Sequence, residues 1–135
     1  MKKLLICLIA IATFSCSTSD DSPTSYNELL PIESAMVPEE FEIGETYEIT
    51  ITYLRPTTCH AFNDIYYAKH NNERTVAVVS TVFESNGNCT TIESELEASF
   101  NFKPTESGSY VFKFWQGEDE SGEDTYLVYE VPVLD

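Results

Sequence analysis

The chain has 135 residues, with seven basic residues against 23 acidic ones and a formal net charge of −16 at pH 7. This length carries a single domain. The charge excludes the basic footprint of a nucleic-acid-binding protein and direct contact with anionic lipid head groups, and it fits solubility or attraction to cations.

In chain order, Lys2 and Lys3 precede an apolar run from Leu4 to Ala12, which ends in Thr13-Phe14-Ser15-Cys16. The run is far shorter than the roughly 20 apolar residues a spanning helix needs, and it reads as a signal peptide with its cleavage site. Ser15-Cys16, a small residue before a cysteine, resembles the end of the bacterial lipoprotein signal. The match is to the Bacteroidota type, which tolerates Thr13 and Phe14 in place of the commoner residues. The resemblance implies that residues 1–15 are removed and that Cys16 is acylated and holds the protein on the outer membrane. Two or more acyl chains anchor stably, whereas one binds only marginally. Asp20 and Asp21 stand where such proteins carry a surface-export signal, or they belong to a solvated tether. An ordinary signal peptide, cleaved without lipidation, is the competing reading. Lys2 and Lys3 leave with the leader, so five of the seven basic residues remain against 23 acidic ones and the mature net charge is −18.

Residues 16–30, rich in Ser, Thr, Asp and Asn with one Pro, read as the lipidated N-terminus and tether, and residues 31–135 as the folded domain. From there the pattern is β throughout. Tyr47, Ile49, Ile51 and Tyr53 alternate with Glu48, Thr50 and Thr52, as a half-buried strand requires. Leu96–Phe102 and Tyr110–Phe114 repeat that period. Thr75–Phe83 is apolar on both faces, which predicts a strand covered on two sides. Phe62–Lys69 and Tyr126–Val133 add two more, and either Ile32–Val37 or Phe41–Ile43 supplies the first. About seven strands predict an all-β, Ig-like antiparallel β-sandwich in a single domain. Glu106-Ser107-Gly108-Ser109-Tyr110 resembles the tyrosine corner of immunoglobulin-type domains. The position two beyond that tyrosine is Phe112 rather than the cysteine of antibody domains.

Of the four cysteines, Cys7 lies in the leader and Cys16 is the lipidation candidate, leaving Cys59 and Cys89 to pair in a compartment that permits disulfides. Bridging them closes a loop of about 31 residues, worth roughly 3.5 kcal/mol on the chain-entropy model. Zinc held with His60 and His70 is the competing reading, but the spacing has no CxxC or HxxxH pairing.

If each strand crosses the sandwich once, three loops share one end: Arg55–His60, Glu84–Thr90 and Trp115–Asp124. Loops held by rigid sheets are where such domains place recognition. Arg55, His60 and Trp115, the only tryptophan, then form an aromatic and polar patch suited to a carbohydrate or protein ligand. The alternative is that Trp115 packs at the sandwich edge and Arg55 pairs with an acid. Glu118, Asp119, Glu120, Glu123 and Asp124 offer oxygen ligands to calcium, without EF-hand spacing. Pro56-Thr57-Thr58, Trp115 and the preceding Gly44-Glu45-Thr46 also resemble chagasin-like inhibitors of cysteine proteases. That resemblance implies contact through Thr57 and Thr58, although Arg55, Cys59 and the missing Arg-Pro before Trp115 depart from the pattern. Neither a Gly-x-Ser-x-Gly elbow nor a metalloprotease helix is present. The expectation is therefore a non-catalytic binding module without cofactor, anchored to the membrane through lipid.

Overall fold

A computed structural model describes residues 24–84 and 87–135. The signal peptide expected over residues 1–15, the lipidation expected at Cys16 and the acidic pair Asp20-Asp21 lie outside the described residues, as do Ser85 and Asn86 of the second loop. The described chain forms nine strands: β1 (Ser25–Leu30), β2 (Ile32–Met36), β3 (Phe41–Glu42), β4 (Tyr47–Thr57), β5 (His60–His70), β6 (Glu73–Phe83), β7 (Thr91–Phe102), β8 (Gly108–Glu118) and β9 (Asp124–Leu134). Among the described residues no helix is long and apolar enough to cross a membrane.

Two sheets pack face to face as an Ig-like sandwich in a single domain. The smaller has the order β2-β4-β7 and the larger joins β1, β5, β6, β8, β9 and β3. β6 is its hub. One edge of β6 pairs with β5 from His60↔Val82 to His70↔Glu73. The other edge is divided, with β8 running parallel along Glu73–Val76 and β1 antiparallel along Val78–Phe83. That position explains the two apolar faces read from Thr75–Phe83: Val76, Ala77 and Val78 are all buried.

Two expectations need correction. The strands number nine rather than seven because Ile32–Met36 and Phe41–Glu42 both form strands, and because Ser25–Leu30, read as tether, pairs along its whole length with β6. Ser25–Leu30 thus belongs to the folded structure. The sheets are also not wholly antiparallel, since β6–β8 and β3–β9 run parallel. At Gly117 the backbone takes φ +98, where a β-carbon would be strained, and Pro31, between β1 and β2, packs 3.5 Å from where that carbon would stand.

The core lies between the inner faces. Phe41, Phe112, Phe114, Ile49, Ile51, Val76 and Val78 are fully buried. Rings from both sheets meet there, with Phe102 of the small sheet 5.0 Å from Phe112 of the large one. The tyrosine corner is present: Tyr110 Oη accepts the backbone N–H groups of Thr105 (3.1 Å) and Glu106 (3.0 Å). Burial pushes this phenol's pKa up, but the two donated hydrogen bonds and the Arg74 guanidinium outweigh it and bring the pKa below its usual value.

The outer faces differ in character. On the small sheet Ser34 and Thr52 hydroxyls meet at 2.5 Å and Thr50 and Ser99 at 2.9 Å, among exposed Glu48, Glu95 and Glu97. The large sheet turns aromatic rings outward.

Candidate functional site

The disulfide predicted between Cys59 and Cys89 is formed, with Cα atoms 5.4 Å apart. It joins the first two loops, and Thr58 N–H donates to the Thr90 carbonyl (2.9 Å) while Thr90 N–H donates to Thr58 Oγ1 (3.0 Å). The first loop is shorter than its sequence suggests, because β4 runs to Thr57 and β5 starts at His60.

Arg55, Thr57, Thr58 and His60 do come together, but they bind one another. Arg55 donates from Nε to the His60 carbonyl (2.6 Å) and from Nη2 to the Thr58 carbonyl (3.0 Å). Thr57 Oγ1 accepts Cys59 N–H (3.1 Å) and meets His60 Nδ1 at 2.7 Å. On the other side of the ring, His60 Nε2 lies 2.9 Å from Glu28 Oε2. This network fastens β1 to the β4–β5 turn. Glu28, placed in the tether by composition, is part of the folded structure.

Trp115 is elsewhere. Tyr110, Phe112 and Phe114 point inward, so the next residue in register points out, and Trp115 stands on the outer face of the large sheet, within β8 rather than in a loop. Trp115 belongs to β8 of the larger sheet, Pro56-Thr57 to β4 of the smaller one, and Thr58 to the turn that follows β4. The third loop shrinks to residues 119–123. There Asp119 Oδ1 accepts the N–H groups of Ser121 (2.8 Å) and Glu123 (3.0 Å), the pattern of a side chain closing its own turn. Among the described residues no set of three or more His, Cys, Asp or Glu side chains is placed to hold a metal ion.

What sequence reasoning missed is the company Trp115 keeps. Tyr66 of β5 sits opposite Ala77 of β6, and Trp115 sits opposite Tyr126 of β9. Parallel pairing of β6 with β8 ends at Val76↔Phe114, so Ala77 and Trp115 are the next residues along. A row of outward side chains therefore crosses four strands as Tyr66, Ala77, Trp115, Tyr126. The small alanine between large rings leaves a groove of about 290 Å³. Ala77 and Thr75 form its floor, Tyr66 and Trp115 its walls, and Leu29 contributes from β1. Glu118 and Asp124 rim it with carboxylates. Asp124 Oδ1 accepts the indole Nε1–H of Trp115 at 3.0 Å, which fixes the ring. Lys113 Nζ stands 4.4 Å from the Tyr126 ring centroid. Tyr66 is half exposed and Leu29 nearly so.

None of the family models, curated proteins or solved structures compared with the chain matches it.

Proposed function

We propose that the protein is a non-catalytic carbohydrate-binding module, held at the outer membrane by acyl chains on Cys16 and exposed to ligands outside the cell or in the periplasm. The observation that carries the ligand class is the row Tyr66, Ala77, Trp115, Tyr126. Flat rings set around a small floor residue accept the apolar C–H face of a pyranose, while Glu118 and Asp124 at the rim accept its hydroxyl protons. The indole is already held by Asp124, so little ordering entropy is lost on binding. Such sites combine apolar walls with a few placed polar groups.

The anchor reading rests on the lipoprotein-type leader. Eight residues, 17–24, separate Cys16 from the start of β1, and fully extended they span at most about 28 Å. Ligands would therefore be met close to the membrane. Cys16→Ala should move the protein from the membrane fraction to the soluble one; retention in the membrane fraction would refute lipid anchoring.

A glycan array followed by calorimetry on the best ligand tests the binding site. Trp115→Ala should weaken binding at least tenfold, and Ala77→Leu, which fills the groove, should do the same with both rings kept. Circular dichroism should show both variants folded. Absence of any glycan ligand, or binding indifferent to both substitutions, would remove the carbohydrate reading. Inhibition of a papain-type protease that is lost on alanine replacement of Thr57 and Thr58 would replace it with the inhibitor reading.

A further inference from the structure

The larger sheet ends at β5 and the smaller at β7, and between these two edge strands the sandwich opens in a cleft of about 580 Å³. It lies on the inner side of β5, where Tyr67 points, whereas the aromatic groove lies on the outer side, where Tyr66 points. The cleft reverses the charge of its surroundings. Lys69, Arg74 and Lys103 line it, three of the five basic residues after Cys16 in a chain with 23 acidic ones. Asp64 is the single acidic residue of the lining, and its Oδ1 accepts Ile65 N–H at 2.7 Å.

Those three cations lack carboxylate partners: every ion pair among the described residues involves a histidine. Arg74 is held in place without one. Its Nη1 donates to the carbonyls of Asn71 and Glu73, both at 2.8 Å. Its guanidinium carbon lies 5.1 Å from the Tyr110 ring centroid and 6.0 Å from that of Phe102. Its Nε–H is buried with no hydrogen-bond acceptor among the described residues. A fixed guanidinium without a carboxylate partner, lining one cleft with two exposed ammonium groups, attracts an anion.

The remaining lining says what carries the anion. Tyr67, whose hydroxyl faces Arg74, and Phe100, with ring centroids 5.7 Å apart, make an aromatic wall. Opposite the lysine of β5, residues 99–103 line the cleft in an unbroken run. β7 pairs only with β4, so its other backbone edge keeps free N–H and C=O groups. Asn101 and Thr105 add side-chain donors and acceptors. Cations, an aromatic wall and an array of neutral hydrogen-bonding groups together match a hydroxylated ring bearing a carboxylate. We propose that this cleft binds a uronic acid residue of an acidic oligosaccharide, with the carboxylate at Lys69, Arg74 and Lys103 and the sugar ring against Tyr67 and Phe100. The site is independent of the groove at Trp115 and stands whether or not that groove binds sugar.

Calorimetric titration of the mature chain with trigalacturonate tests it, with maltotriose as neutral sugar and hexaglutamate as acidic peptide. Trigalacturonate should bind, more weakly as salt rises. The exposed pair Lys69→Gln/Lys103→Gln should weaken it at least tenfold without altering the circular dichroism spectrum. Trp115→Ala should leave it unchanged, which separates this cleft from the groove. Absent binding, equal binding of maltotriose, tighter binding of hexaglutamate, or an unaffected double variant each overturns the proposal.

Discussion

Replacing Phe112 with alanine is expected to lower the free energy of unfolding by about 3–5 kcal/mol, the range for deleting a buried aromatic ring from a core. Phe112 is fully buried. Its ring centroid lies 5.0 Å from Phe102, 6.0 Å from Phe41 and 6.1 Å from Phe114. Phe102 belongs to β7, Phe41 to β3 and Phe114 to β8, so one side chain touches both sheets. Its loss leaves a cavity between layers held apart by their other rings, and partial collapse cannot fill it. Domains of this size have about 5–15 kcal/mol of stability in total, so the variant should sit at the edge of folding. Urea unfolding monitored by Trp115 fluorescence and far-ultraviolet circular dichroism measures the change. Phe112→Leu, which restores most of the volume, should recover more than half of the loss. A cost under about 1.5 kcal/mol for the alanine variant would mean that the sheets close over the gap, contrary to a rigid ring cluster.

Opening the disulfide should have an effect of similar size by a different route. Cys59 and Cys89 are separated by 30 positions, and the chain-entropy model assigns such a link about 3.5 kcal/mol, exerted on the unfolded chain. Cys59→Ser/Cys89→Ser should therefore melt roughly 14–28 °C below the parent, given about 4–8 °C per kcal/mol for domains near this size. Reductant should lower the parent's melting temperature by the same amount and leave the double variant where it was. Folded-state contacts should survive in part, because Thr58 and Thr90 also join the two loops through paired hydrogen bonds. Equal melting temperatures with and without reductant would show that the bridge adds nothing.

Much of the architecture was legible in the sequence because one-sided burial writes a period of two into a strand. Tyr47–Tyr53, Leu96–Phe102 and Tyr110–Phe114 each keep that period, and each is a strand with those residues inward. β1 was not legible. Of its six residues only Leu30 is buried, so Ser25–Leu29 carries the composition of a tether while it pairs with β6. Gly117 and the run of acids after it have the composition of a loop, yet β8 continues past a register shift to Glu118 and the turn is only five residues long. The aromatic row depends on β6 lying parallel to β8, a juxtaposition of segments nearly 40 positions apart that no local pattern announces. The cationic cleft was hidden for the same reason. Lys69, Arg74 and Lys103 are unremarkable singly in an acidic chain, and only the two sheet edges bring them to one opening.

The divided edge of β6 also dictates an order of assembly. Only β5 is its neighbour in sequence, joined through a tight turn in which Asn71 adopts φ 54, a conformation asparagine tolerates better than most residues. That hairpin can close within microseconds. The opposite edge must wait for β1 from one end of the domain and β8 from beyond residue 107, and such distant pairings place folding in the millisecond-to-second range. Until they arrive, β6, with Val76 and Val78 in it, keeps half its backbone groups unpaired, a template for joining another chain. A chain cut short before β8 would leave the Glu73–Val76 half of that edge open, because β1 covers only Val78–Phe83.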